Sequence, residues 1–251
     1  MPTLSAIDAD LEITFSSSHH LGTGRAEGLL DRTVRRGAGG EAYVPASALK
    51  GALREAAERL TRRLDRELVE LGAGREQRFG LRRRADTVLD EPCRAPRAEA
   101  MCQSRAPCIV CRLFGNVFTG ARLVVDDAHA APGPTGPPRR ESVTRLAIDR
   151  RRRGAKKGAL FSSEYSRPGP TYRSRLAGQV PLSPIEGDGV PAELVVLAGA
   201  LRLARQVGAE GSTGHGQCHV RLGGGRLRAG DQTYETDALL GQLENVVFAN
   251  L

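Results

Sequence analysis

The sequence predicts an α+β fold in which helices cover one face of a sheet. Two patterns carry this expectation. Leu11-Glu12-Ile13-Thr14-Phe15 alternates apolar and polar residues at the period of a half-buried strand, whereas Leu49, Leu53, Ala56, Leu60 and Leu64 recur at helical spacing. The order strand, helix, insertion, strand, hairpin, helix, strand along the 251 residues then fits a sheet with helices on one side better than a bundle or a sandwich.

The elements follow in order. The first strand runs into Ser16 to Gly24, which has turn composition. After the glycines at 37 to 40, Pro45-Ala46-Ser47 opens a helix expected from about Ser47 to about Leu71, with Ser47 or a neighbour as its cap. Residues 72–116 form an arginine-rich, cysteine-containing insertion with little periodicity. Val117 to Val125 returns to strand character, and the Pro/Gly run 131–138 excludes regular structure because proline lacks a donor. A second insertion, 133–178, holds two strand-like pieces, Ser142 to Ile148 and Ala159 to Tyr165. They flank Arg150-Arg151-Arg152-Arg153-Gly154-Ala155-Lys156-Lys157-Gly158, which reads as a hairpin with a cationic tip. Pro191 to Val207 is helical in period and closed by Gly208, Cys218 to Leu222 is a short strand, and Asp237 to Phe248 is a terminal amphipathic helix.

Composition narrows the function. The net charge is +8, and the stretch from Arg139 to Arg175 alone carries twelve basic against three acidic residues, so the rest of the chain is close to neutral. Such localisation points to a grip on an anionic polymer rather than a uniformly solvated surface. Lys50, Lys156 and Lys157 are the only lysines; the other cations are arginines, whose forks suit bidentate phosphate contacts, although a GC-rich genome gives the same bias. Six Phe, four Tyr and no Trp leave little material for base stacking, so a nucleic acid would be held by its backbone. The N-terminus has no basic-then-apolar leader and the best apolar run, Leu194 to Leu201, is too short for a span, so a soluble, cytoplasmic protein without a membrane partner is expected.

Four of the five cysteines, Cys93, Cys102, Cys108 and Cys111, lie within 19 residues, and the C-x2-C pair is a common half-site for tetrahedral zinc. A structural zinc is expected, holding an insertion with too few apolar residues to fold alone. His129, His19 or His20 could replace one cysteine in space. Two further groups could do chemistry. Asp31, followed by Arg32, Arg35 and Arg36, could recruit a divalent ion such as Mg or Mn, orient a ribose hydroxyl, or be a salt-bridge partner of Arg32 or Arg35. His19-His20 and His215 are candidate general acids or bases that nothing in the sequence pairs. The glycine-rich loop 208–216 would let backbone amides approach a phosphate, but equally suits a plain helix-to-strand turn; it is not a Walker loop.

Val44-Pro45-Ala46-Ser47-Ala48-Leu49-Lys50-Gly51-Ala52-Leu53-Arg54 resembles the strand-to-helix signature of the RAMP superfamily, the repeat-associated mysterious proteins of CRISPR effector complexes. Cys108-Ile109-Val110-Cys111-Arg112-Leu113-Phe114-Gly115 resembles the cysteine segment of type III backbone subunits. Thr144 to Tyr165 resembles their hairpin, and 208–216 their glycine-rich loop. The resemblance implies one domain over 1–251 with a ferredoxin-like, RRM-like core that stacks with other copies of itself and other effector subunits along a guide CRISPR RNA. It also implies a β-hairpin thumb that kinks the guide, and metal-dependent cutting of complementary target RNA supported by Asp31. RNA contacts are then expected from Ser47, Lys50, Arg54, Arg150, Arg151, Arg152, Arg153, Lys156, Lys157, Gly211, Gly214, His215 and Gly216. Specificity would come from base pairing rather than from the protein. Competing readings are a non-cleaving structural RAMP subunit, a metal-independent guide-processing endoribonuclease that uses a histidine, and last a zinc-ribbon DNA-binding protein, since the basic residues stand away from the cysteines in sequence.

Overall fold

A computed structural model describes residues 3–74, 77–84, 87–95, 97–133, 136–182 and 190–243. The first strand, β1 (Thr3–Phe15), is longer than its clearest alternation: Ile7, Ala9, Leu11, Ile13 and Phe15 are buried while the residues between them face outward. It is central. β8 (Thr171–Leu182) pairs antiparallel along its whole length, from Thr3↔Leu182 to Thr14↔Thr171. On the other side lie β9 (Cys218–Leu222) and β10 (Arg226–Ala229), the latter extended by β11 (Gln232–Glu235). β4 (Leu123–Val125) and β5 (His129–Ala130) pair with the outer side of β8. Across the sheet the order is therefore β9/β10, β1, β8, β4/β5, antiparallel at every step.

Two helices supply the connections. α1 (Ala46–Glu70) joins β1 to β4, and α3 (Ala192–Leu203) joins β8 to β9. α3 is apolar nearly all round, so every residue from Ala192 to Leu201 is buried. Gly199 permits its close packing on α1: a Cβ there would stand 2.5 Å from Leu60 Cδ2. The N-terminus of α1 is satisfied differently from expectation. Ser47 is exposed and makes no cap; the Asp127 carboxylate, brought in from the β4–β5 turn, accepts the Ala46 N–H at 2.6 Å.

Two excursions leave this frame. The first contains β2 (Leu81–Arg84), β3 (Thr87–Pro92) and the short α2 (Ile109–Phe114). The second is a separate two-stranded ribbon of β6 (Arg140–Asp149) and β7 (Gly154–Ser166). A last helix, α4 (Thr236–Gly241), buries Leu239; the expected helix ran to Phe248, and residues 244–248 lie outside those described.

Three further expectations are corrected. The strand expected over 117–125 is confined to its last three residues, because Asn116 Oδ1 accepts the N–H groups of Phe118 and Thr119 and holds a turn there. α3 stops at Leu203, before Gly208, and 204–207 turns away so that the Arg205 carbonyl can take the Cys218 N–H. β8 is a strand where the sequence reading has only the end of the basic hairpin excursion: Tyr172, Ser174, Leu176, Val180 and Leu182 alternate inward, but Arg173 and Arg175 on the opposite face join the run of basic residues and mask that period.

Candidate nucleic-acid interface and metal centre

The cysteine-bearing excursion is stitched to α1 by two carboxylates. Asp65 accepts the N–H groups of Phe79 at 2.5 Å and Gly80 at 2.9 Å, and Glu58 accepts that of Ala95 at 3.1 Å. Gly80 is required here, since a Cβ would meet Thr61 Oγ1 at 2.7 Å. Cys93 then follows β3, Cys108 stands immediately before α2, and Cys111 lies on it one turn later. The four sulfurs lie within 4.8 Å of one another and all four residues are buried. A tetrahedral zinc with ordinary Zn–S bonds separates sulfurs by about 3.8 Å, and Cys93 and Cys111 are 3.4 Å apart. The donor set fits zinc without a histidine.

The surroundings suit thiolates. Cys102 Sγ accepts the N–H groups of Arg83 (3.2 Å) and Cys108 (3.4 Å), and Arg54 Nη2 donates to Cys111 Sγ at 3.6 Å. Neighbouring thiols, Cys102 foremost, hold Cys111 well below the usual thiol range. Arg54, expected on RNA, turns its guanidinium inward to Cys111, Glu58 (2.9 Å) and the Gly115 carbonyl, because this face of α1 is covered by the excursion. Lys50 is partly buried and donates to the Leu123 carbonyl at 2.7 Å. Burial, with Arg54 nearby, lowers its pKa.

The ribbon is closed by Asp149, whose Oδ1 accepts the N–H groups of Arg151 (2.9 Å) and Arg152 (3.2 Å), with Arg153 in the left-handed region at φ 53°. Arg150, Arg151, Arg152, Arg153, Lys156 and Lys157 are all exposed, and among the described residues none of them forms an ion pair. Arg150 to Arg153 form the tip, whereas Lys156 and Lys157 stand on β7, which begins at Gly154 and not at the expected Ala159 because Gly154 and Ala155 already pair with Asp149 and Ile148.

At its base the ribbon is fastened by two acids the sequence did not single out. Glu164 takes Arg36 (2.9 Å), Arg140 (2.8 Å) and the Val34 N–H (3.0 Å). Burial opposes its ionisation, yet those donors hold its carboxyl below the usual range. Glu210 binds Arg32, Arg145 (2.7 Å) and the Tyr165 hydroxyl (2.7 Å), while Arg145 also reaches His215 Nε2 at 2.7 Å and His215 stacks on Tyr165. Glu210 is held at φ 62°, a conformation a non-glycine residue adopts only with support from its surroundings. Its place beside the glycines was visible in the sequence, but the partners come from far along the chain.

That geometry revises the role of the glycine-rich loop. The N–H groups of Thr213, Gly214, His215 and Gly216 are bonded within the fold, to Glu210, Gly211, Glu210 and Ser18 respectively, so they do not form an open phosphate cradle. Gly216 is needed for close approach, since a Cβ would fall 2.4 Å from the Val207 carbonyl. His19 and His20 are also structural: both are buried, and His19 stacks on Phe15 with centroids 3.6 Å apart.

Asp31 is exposed in the loop between β1 and α1, against the ribbon. Its Oδ2 accepts the Ser162 N–H at 2.7 Å and its own N–H donates to the Ser162 carbonyl at 2.9 Å. Among the described residues Asp31 forms no salt bridge to Arg32 or Arg35; Arg32 turns to Glu210. The basic residues also do not all stand away from the cysteines, as the sequence order implied: Arg83, Arg105 and Arg112 gather beside the cluster with Arg122.

An antiparallel sheet backed by two helices, a four-cysteine knuckle and a cationic ribbon define an α+β subunit built to carry two excursions on one frame. The chain belongs to the RAMP superfamily, whose family model matches residues 12–219. That membership points to a CRISPR-associated RNA-binding subunit. No curated protein matches the chain. Among the described residues no helix is long and apolar enough to cross a membrane.

Proposed function

We propose that this chain is a guide-RNA-binding backbone subunit of a type III CRISPR effector complex that cleaves complementary target RNA with the help of a divalent metal. The observation that carries the reading is the ribbon: six exposed cations, unpaired among the described residues, on an arm fastened at its base to the loop that holds Asp31. Such a surface grips phosphates without reading bases. The strand order β9, β1, β8, β4 with crossover helices α1 and α3 supports a ferredoxin-like core within one domain over 1–251. In the complex, copies of the chain and other effector subunits would line the guide. The four cysteines would hold a structural zinc that keeps the 72–116 excursion folded.

For cleavage, Asp31 is the residue in place. One carboxylate oxygen is used by Ser162, and Oδ1 has no partner among the described residues. Magnesium or manganese commonly takes one or two protein carboxylates and completes its shell with water and substrate phosphates, so a single acid beside a phosphate-binding arm fits the requirement.

The bond to Ser162 favours one second reading, a structural subunit in which Asp31 only pins the loop to the ribbon. Reconstitution with partners, a guide and a labelled complementary RNA decides between them. Evenly spaced magnesium-dependent cuts that vanish in Asp31→Ala support cleavage; stable guided binding without cuts leaves the structural role. The buried packing of His19 and His20 and the engagement of His215 by Arg145 disfavour the histidine-based nuclease.

A further inference from the structure

A second cationic feature lies away from the ribbon. Arg83, Arg105, Arg112 and Arg122 line one recess of about 520 Å³, together with Pro107 and Pro181. Pro181 pairs with Leu4 near the start of β1, whereas the Asp31 loop follows the other end of that strand, so the recess is at the opposite end of the sheet from the ribbon. We propose that this recess is a separate binding site for a phosphate group, recognised by its oxygens and not by any attached base.

Four segments bring these arginines together. Arg83 lies on β2, and its backbone N–H is held by Cys102 Sγ at 3.2 Å; Arg105 sits between Cys102 and Cys108; Arg112 follows Cys111 on α2; and Arg122 precedes β4. The cysteine knuckle thus fixes three of the four. Gly178 allows the Arg122 segment to lie close, since a Cβ there would stand 2.1 Å from the Arg122 carbonyl.

Among the described residues one carboxylate alone answers these four charges. Glu193, wholly buried, pairs with Arg112 at 2.8 Å, and among the described residues no carboxylate forms an ion pair with Arg83, Arg105 or Arg122. The Nε of Arg83 is buried without a hydrogen-bond partner. Converging guanidinia repel one another unless an anion joins them, and their planar forks match phosphate oxygens bidentately. Among the described residues no aromatic side chain lines the recess, so none of them would stack a base there. The phosphate could be a free oligophosphate or the terminal phosphate of an RNA.

Calorimetric titration with pyrophosphate tests the site on the whole protein, in competition with short RNAs bearing a 5′-phosphate or a 5′-hydroxyl. Arg105 and Arg122 are exposed, so Arg105→Ala/Arg122→Ala is expected to fold as wild type and to weaken pyrophosphate binding at least tenfold. Replacing both by Lys, which keeps the charge and loses the forks, should weaken it by less. Competition by the 5′-phosphorylated RNA alone would identify an RNA end as the occupant, and competition by neither RNA a free anion; both outcomes support the site. Equal pyrophosphate affinity in wild type and the alanine variant, or a loss caused instead by alanines at Arg150 to Arg153, would overturn it. Because pyrophosphate needs no guide, this result is independent of whether the ribbon binds RNA.

Discussion

Asp31 and Ser162 exchange two hydrogen bonds, the Asp31 carboxylate taking the Ser162 N–H at 2.7 Å while the Asp31 N–H gives to the Ser162 carbonyl at 2.9 Å. The acid proposed for cleavage is thereby placed on the shaft of the arm proposed to hold the guide. Substitution can separate position from charge. Asp31→Asn keeps a carbonyl oxygen for the Ser162 N–H but removes the charge that would hold a divalent ion. It should change stability by less than about 0.5 kcal/mol and lower the cleavage rate at least about a hundredfold. Single-turnover cleavage with a thermal melt of the same variant checks this. Cleavage retained in Asp31→Asn would remove Asp31 from the chemistry.

Glu210 fastens the ribbon through Arg145 and Tyr165 and the loop through Arg32. Glu210→Gln leaves two guanidinia without their carboxylate and should cost about 1–3 kcal/mol. The amides of β6 and β7 near Arg145 and Tyr165 should exchange hydrogen faster, while those of β1 and β8 hardly change. Uniform loss of protection across the sheet would instead mean that Glu210 supports the whole fold rather than the joint.

Burial lowers the pKa of His19 from 6.5 to about 4. A depressed value means that the unfolded chain takes up the proton first, so the stability from neutral His19 is complete above about pH 6.5 and is lost as pH falls toward 4. The difference amounts to about 3 kcal/mol. Urea midpoints at pH 7.5 and pH 4.5 should fall further apart for wild type than for His19→Gln, in which this proton uptake is gone; parallel shifts in both proteins would contradict the assignment.

The four sulfurs lie close enough to form one donor set, so the proposed structural zinc should be lost with any single sulfur. Cys102→Ser should reduce zinc, measured by mass spectrometry under native conditions, from one per chain to none, and destabilise the protein by roughly 3–5 kcal/mol, about 10 °C in Tm. Retention of one zinc with an unchanged melt would show that the cluster is a set of packed thiols. Cys218, buried in β9 away from the cluster, serves as the control position.

Local patterns made some of these parts visible in sequence and hid others. Leu49 to Leu64 announced α1, and the ribbon was legible because its turn residues and charges lie together. The four cysteines were legible because they lie within 19 residues and the C-x2-C pair Cys108/Cys111 is a common zinc half-site. The joints were not. Glu164 and Glu210 depend on Arg36 and Arg145, more than sixty residues away in each case, and periodicity carries no record of such meetings. Arg54 shows the converse: its helix and position were readable, but the direction of its side chain was decided by the excursion that covers it. Likewise Arg83, Arg105, Arg112 and Arg122 are scattered along the chain and become one recess only after the cysteines draw their segments together.

The ribbon is the proposed grip on RNA, and the salt dependence of guide binding measures that grip most directly. Each phosphate contact to a single strand contributes about 0.7 to the slope of log K against log[salt]. Replacing Arg150, Arg151, Arg152 and Arg153 by alanine should therefore weaken guide binding and reduce the slope by roughly 2 to 3, uniformly across guide sequences. An unchanged slope and affinity in that variant, with the fold intact, would contradict the claim that this arm holds the guide.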